Sequence, residues 1–311
     1  MCGIAGIIYR NGDGAHRIGR DLTRMLQSMK HRGPDSTGYA LYTVPREELI
    51  LRVKLADSHD LDDIDAAEDI RRRRRQAEAR IRAAGARIVS SEDINPYTFA
   101  ATLDYAGDLK RLADHVESVP RAEVLSLGHA LEIVKDLGDA GTVARFYGLD
   151  GYMGSHGIGH VRMATESDVD ISNAHPYWAY PFSDVAVVHN GQLTNYHHWR
   201  RRLEAAGHRF ASDCDSEIIA VYLAERMSQG DSLEAAMVRS LEELDGVFTY
   251  ICVTEDALGV AKDELAAKPL VLYEGDDMIA LASEEMAIRT VIDREIETYD
   301  PYESQVMVWK R

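Results

Sequence analysis

Cysteine is scarce in this chain. Cys2, Cys214 and Cys252 are the three present, and no two of them stand at a paired spacing. They form no cluster able by itself to hold zinc or an iron–sulfur centre, and their small number fits a reducing compartment. No apolar run approaches the roughly 18 residues that a membrane span requires. The stretch from Ile4 to Tyr9 is too short for the core of a secretion signal, and Arg10, Asn11 and Gly12 follow it at once. Positive charge is also in deficit: 35 Lys and Arg against 52 Asp and Glu leave a formal net charge of -17. That balance argues against nucleic acid or an anionic membrane surface as the main ligand. A cytoplasmic location is the expectation. What remains is an ordinary globular composition, 45% hydrophobic over 311 residues, enough for a sizeable core in one large domain or two small ones.

Ile4–Tyr9 reads as a buried strand closed by the turn signal Asn11-Gly12-Asp13-Gly14. Leu22, Met25, Leu26 and Met29 then fall on one helical face before the loop His31-Arg32-Gly33-Pro34-Asp35. The character changes between about residues 57 and 120, where acidic residues precede the run Arg71–Arg75 and a mixed helical stretch. Ile70, Ala77, Ile81 and Ala84 share a face there, and Glu68/Arg72 and Asp69/Arg73 are spaced to pair. The arginine run reads as a solvated helix face rather than a phosphate-binding patch. From Gly154 onward dense strand signals return: His156–Ala164, Val185–His189, and a late series at 247–253, 257–261, 270–273, 278–282 and 305–309. Helices are expected from Thr194, from about Asp215, from about Ser232 to Leu244, and near Glu284. Strands in antiparallel-looking runs with helices grouped between them predict an α+β plan and not a doubly wound parallel sheet.

Chemistry starts at Cys2. A thiol beside a freed α-amine is a self-contained catalytic pair: the ordinary pKa values are about 8.5 and about 7.7–8.0, so near neutrality the amine can accept the thiol proton. The same residue also reads as a small buried cysteine opening a strand. Further on stand five more blocks, in order: His31-Arg32-Gly33-Pro34-Asp35, Gly159-His160-Val161-Arg162-Met163-Ala164-Thr165, Asn173-Ala174-His175-Pro176, His189-Asn190-Gly191, and Ser212-Asp213-Cys214-Asp215-Ser216-Glu217. Asn190-Gly191 is also the strongest short hairpin signal, and Ser212-x-x-Asp215 also reads as a capping box. His175, His189, His197 and His198 fit no metal-ligand spacing. The glycines at 151, 154, 157 and 159 precede a strand rather than a helix, which speaks against a phosphate-cradling loop.

Met1-Cys2-Gly3-Ile4-Ala5-Gly6 and the five blocks after it resemble, in order and over nearly the whole chain, the class II glutamine amidotransferases, which are N-terminal-nucleophile hydrolases. The resemblance implies a four-layer αββα sandwich of two antiparallel sheets, formed by residues 1–311 as a single domain with a partly helical insertion at about 57–120. It implies Cys2 as the nucleophile once Met1 is removed, with the Asn190 side chain and the Gly191 backbone N–H as oxyanion donors. It implies Arg162 as the reader of the substrate α-carboxylate and Asp215 as the partner of its α-ammonium. Thr165 and Arg32 join the substrate-binding set, Arg32 lying beside the nucleophile. Two departures stand out. The stretch from Tyr39 to His156 is longer than the family pattern, and Glu166 occupies a place where several members carry histidine.

The implied reaction is hydrolysis of L-glutamine to L-glutamate and ammonia through a thioester on Cys2. No nucleotide loop or sugar-phosphate domain is read after the last strand, so the acceptor chemistry is expected on a partner chain. Residues 157–210 look most like the glutaminase portion of glutamate synthases and the separate amidotransferase subunit of similar assemblies, N-methylglutamate synthase among them. In those assemblies flavin and iron–sulfur centres sit on the partner subunits; no cofactor and no metal are expected in this chain. Two other readings remain open. A free-standing N-terminal-nucleophile amide hydrolase sits poorly with the Arg162 and Asp215 pair, and a non-catalytic scaffold sits poorly with an intact nucleophile and oxyanion set.

Overall fold

The computed structural model describes residues 2–10, 16–63, 65–163, 171–180, 182 and 184–311. The expected turn at 11–14, and Thr165 and Glu166, lie outside the described residues. In chain order the first elements are β1 (Gly3–Tyr9), α1 (Ile18–Ser28), β2 (Ser36–Tyr42), β3 (Leu49–Lys54), α2 (Ala66–Ala83), β4 (Arg87–Asn95), β5 (Thr98–Asp104) and α3 (Leu109–Glu117). There follow β6 (Glu123–Gly128), β7 (Leu131–Leu137), α4 (Ala140–Phe146), β8 (His156–Arg162), β9 (Tyr177–Trp178), β10 (Ala186–Leu193), α5 (Tyr196–Ala205) and α6 (Asp215–Ser228). The last are α7 (Leu233–Glu243), β11 (Gly246–Val253), β12 (Ala257–Lys262), β13 (Val271–Glu274), β14 (Met278–Ala282), α8 (Glu285–Arg289) and β15 (Val306–Lys310).

A six-stranded sheet runs β13-β14-β1-β8-β2-β7, and a five-stranded sheet runs β15-β12-β11-β10-β9. Their pairings are antiparallel, for example Ile4 opposite His160 and Asn190 opposite Thr249. The alternation of side chains along each strand explains why both sheets read as continuous apolar runs. Ile4 and Ile8 of β1 turn inward with Ile158 to meet Val188, Ile251 and Val260 of the other sheet. Ala5, Ile7 and Tyr9 turn outward, onto Leu22, Met25, Leu26 and Met29 at α1 and onto residues of α4 and α8. Behind the second sheet, Val187, Phe248, Tyr250 and Cys252 pack against α6 and α7. The result is the expected αββα order of layers. Each fully buried large apolar side chain contributes about 1.5–3 kcal/mol, so a charge at Ile158 would uncouple the two sheets.

Residues 49–128, between β2 and β7, build a unit of their own: a third sheet in the order β4-β5-β3-β6 with α2 and α3 packed on it. Ile70, Ala77 and Ile81 of α2 are buried there, as their spacing predicts. The unit is wider than the stretch read as helical and contains four strands. The arginine run is a helix face: Arg72 pairs with Asp69 at 2.7 Å, Arg73 donates to the Leu55 carbonyl at 2.9 Å, and Arg74 lies 4.6 Å over the Phe99 ring. Where the chain leaves the unit, the buried Asp184 carboxylate accepts from His129, Ala130 and Leu131 N–H at 2.8 Å each. This satisfies a sharp corner whose backbone donors would otherwise be buried without partners.

Candidate active site

The blocks picked out in the sequence fold to one end of the sandwich because strand ends bring them there. Gly3, at the start of β1, pairs with Val161 near the end of β8, and Ser36, at the start of β2, pairs with Arg162. Gly33 crosses against the β8 backbone so closely that a Cβ would lie 2.4 Å from the Arg162 carbonyl carbon. Only a residue without a side chain allows that approach, which accounts for the glycine in the His31–Asp35 block.

Cys2 is held by its main chain. Its carbonyl oxygen accepts from Arg32 Nε at 3.1 Å and from Asn190 Nδ2 at 3.1 Å, so the turn after α1 and strand β10 converge on one atom. The thiol Sγ lies 3.8 Å from the Met163 carbonyl oxygen. Arg32 is fixed in turn by Glu284 at the foot of α8, Nη1 to Oε1 at 2.7 Å, while His31 meets the same oxygen at 3.1 Å. Burial raises the Glu284 carboxyl, yet the bonds from Arg32 and His31 outweigh it and hold the group below its ordinary value. The sequence marks Glu284 only as a helix start; a carboxylate spaced some 250 residues from its arginine leaves no local signature.

Asn190 and Gly191 lie inside β10, opposite Thr249 and Phe248 of β11, and not at a hairpin turn. The strand continues to Leu193, and its continuing ladder overrides the turn preference of the pair. Gly191 has φ +144°, and a Cβ would meet the Val247 carbonyl oxygen at 2.1 Å. An amide nitrogen has two hydrogens: Asn190 gives one to Cys2, and the second can serve an anion beside the thiol.

Asp215 opens α6, and its Oδ2 accepts from Leu193 N–H at 2.7 Å. The capping box read at Ser212 is not formed. Cys214 is the N-cap residue and makes no side-chain cap bond. Glu217 draws Ser212 away, its carboxylate accepting from Ala211 N–H and Ser212 N–H at 2.8 Å each and from Ser212 Oγ at 2.7 Å. Arg162 is buried at the end of β8 with 7% of its surface exposed. Thr165 belongs to the candidate set but lies outside the described residues.

One group was missed as a unit. His160, His175 and His189 are buried together, with the rings of His160 and His175 stacked at 4.0 Å and those of His175 and His189 at 6.5 Å. Burial first, then neighbouring imidazoles and Arg162, pushes His160 down to about 3 and His175 well below its ordinary value. Burial also lowers His189 against the pull of Asp215. All three are neutral at physiological pH. His189 Nδ1 hydrogen-bonds Ser216 Oγ at 2.7 Å, joining the strand of Asn190 to the helix of Asp215. Stacked rings do not point their lone pairs at a common centre. Among the described residues no group of three or more His, Cys, Asp or Glu could hold a metal ion. His197 and His198 lie apart from this group, exposed on α5.

Similarity to known proteins agrees with this geometry. Residues 160–290 match the model of a glutamine amidotransferase domain. A protein of Methanothermobacter thermautotrophicus, named provisionally as a glutamine amidotransferase, is 38% identical over 98% of this chain and 99% of its own. The glutamine amidotransferase-like protein GlxB of Rhizobium meliloti is 33% identical over 99% of this chain and 98% of its own. Among solved structures, the glutamine phosphoribosylpyrophosphate amidotransferase of B. subtilis superposes with a TM-score of 0.61 at 18% identity. That match covers 99% of this chain and 47% of the other, so it speaks to the fold alone.

Proposed function

Since the chain belongs to the class II glutamine amidotransferases, we propose that it is a glutaminase whose nucleophile is Cys2, freed at its amine by removal of Met1. The observation that carries this reading is the joint hold of Asn190 and Arg32 on the Cys2 carbonyl. It supports a role for Asn190 as a donor to an oxyanion formed at the Cys2 thiol, with Arg162 and Asp215 on neighbouring elements. In the reaction the Cys2 amine takes the thiol proton, and the thiolate attacks the side-chain amide carbon of glutamine. The negative charge gathers on the amide oxygen, where Asn190 Nδ2 and the Gly191 N–H donate; preorganised donors of this kind are worth about 3–4 kcal/mol each. The C–N bond then breaks as the amine returns its proton to the leaving ammonia. Water adds to the resulting thioester to release glutamate and restore the thiol. Arg162 offers its planar fork to the α-carboxylate, Asp215 accepts from the α-ammonium, and Thr165 lies in the set that holds the ligand. Arg32 acts through Cys2, by fixing its main chain.

The whole chain works as one amidotransferase domain with the 49–128 unit inserted, and it delivers ammonia to a synthase subunit. The likeness of residues 157–210 to glutamate synthase and N-methylglutamate synthase glutaminases supports this partner, which would carry flavin and iron–sulfur centres. Ammonia released into neutral water is mostly protonated and no longer nucleophilic, which favours transfer inside an assembly. The test is glutamate release by the isolated chain and by a reconstituted complex with a flavin-containing synthase subunit, each with and without acceptor. Turnover that rises with partner and acceptor supports the coupling. Equal rates throughout, with no stable complex, favour a free-standing hydrolase.

A further inference from the structure

The inserted unit places no side chain among the candidate site residues, yet it grips the segment that leads to Asp215. Arg209, in the connection between α5 and α6, reaches α3 of the inserted unit. Its Nη2 pairs with Glu117, its Nε lies 3.0 Å from Asp114 Oδ1, and its guanidinium sits 4.1 Å over the Tyr180 ring. Tyr180 closes the arrangement by donating to Asp114 and lying 3.2 Å from the Lys110 carbonyl oxygen. Glu117 is no surface partner. Its Oε1 accepts from Val124 N–H at 2.8 Å, so one carboxylate ties the end of α3, the start of β6 and Arg209 together. From Arg209 the chain needs only residues 210–214 to reach Asp215. Glu217 holds the middle of that span through Ala211 and Ser212, and Arg200 through the Ser212 carbonyl at 2.8 Å. The span is thus anchored to the sandwich at one end and to the inserted unit at the other.

We propose that Arg209, clamped by Glu117 and Asp114, is a positioning residue for glutamine capture, setting the 210–214 segment and through it Asp215. This rests on the glutaminase reading. The inserted unit thereby becomes the element through which anything docked on it reaches the α-amino end of the substrate. Arg209 touches no substrate, so its loss loosens ground-state binding and leaves the chemical step intact. In the full chain, Arg209→Ala raises KM for glutamine by about fivefold or more with kcat within about twofold, a coupling of ordinary size. Arg209→Lys restores most of the loss, and Glu117→Gln or Asp114→Asn reproduces part of it. Adding Glu117→Gln to Arg209→Ala changes KM little further, because both remove one contact. Amide exchange at Ala211, Ser212 and Leu193 quickens in Arg209→Ala, while β1 exchanges as before. A fall in kcat at unchanged KM, or exchange at 211 and 212 equal to that of the unsubstituted chain, would overturn the proposal. Failure of the glutaminase reading has a different mark: no glutamate from the unsubstituted chain, with the exchange pattern still answering to Arg209.

Discussion

Arg32 and Arg87 make a useful pair. The Arg32 side chain is 9% exposed and gives its donors to the Cys2 carbonyl and Glu284, joining residues from the first and last thirds of the chain. The Arg87 side chain, on the inserted unit, is 70% exposed and pairs at 2.6 Å with Asp104 on the neighbouring strand. At the end of the sandwich, charge is buried, convergent and shared between distant segments; on the outer face of the inserted unit it is solvated and local. Only the first arrangement can fix a reacting atom, because a buried group has few alternative positions and loses much if its partner goes. Between the two extremes lie Lys54, Glu123 and Lys135. Burial pushes Glu123 up, but Lys135 and Lys54 hold it below its ordinary value, and Lys135 also donates to the Ser172 and Ala174 carbonyls just before His175. The inserted unit is therefore bolted to the sandwich at Glu123, at Glu117 and Asp114, and at Arg52, which pairs with Glu132 of β7.

Substitutions at the buried end should have the largest effects and should differ in kind. Asn190→Ala is expected to lower kcat on the order of a hundredfold, the usual loss for one oxyanion donor. Arg162→Ala is expected to raise KM more than it lowers kcat, since it removes a contact present in ground and transition states alike. Steady-state kinetics on both variants separate the roles, and a pure KM effect in both would erase the division.

Acid should find the buried end before the exposed one. His160 is pushed down to about 3 and His156, buried at the opposite end of β8, to about 4, far below the ordinary value near 6.5 that they regain on unfolding. Above pH 6.5 both states are neutral and these groups add no pH dependence. As pH falls through 6.5 the unfolded chain takes up protons that the folded chain refuses, so stability declines toward the folded values. The slope is about 1.4 kcal/mol per pH unit for each histidine. His175 and His189 act in the same direction. Urea midpoints at pH 7.5, 6.5, 5.5 and 5 should fall steadily below 6.5, and a flat profile would contradict the buried neutral cluster. The smallest effect belongs to the solvated face: Arg87→Ala should cost less than about 1 kcal/mol in the same unfolding assay. A larger loss would mean that the two regions are less unlike than their exposures imply.

What the sequence made legible follows the same divide. Strands buried on both faces, such as β1 and β14, announce themselves as short apolar runs, and α1, α6 and α7 by their spacing and ends. β4 does not: its residues Arg87–Asn95 are mostly exposed at a sheet edge, so neither an apolar run nor a clean alternation marks it. Cys2, Arg32 and Asn190 meet in space because strand ends are where distant segments come together. Asn190-Gly191 was ambiguous with a turn, and only the continuing ladder to Leu193 resolves it. Glu284 and Arg209 were silent for another reason: each acts through a partner far away in sequence, and a single chain carries no trace of such pairings.

The central claim is that Cys2, with a free α-amine, is the nucleophile of this chain. The most direct test is intact mass before and after incubation with 6-diazo-5-oxo-L-norleucine, a glutamine-shaped alkylating agent, with the site mapped by peptide analysis. The account predicts that active protein has lost Met1, takes up one equivalent at Cys2 and loses glutaminase activity in step, while Cys2→Ala takes up none. Hydrolysis of glutamine by a chain that still carries Met1, or labelling at Cys214 or Cys252 in place of Cys2, would contradict it.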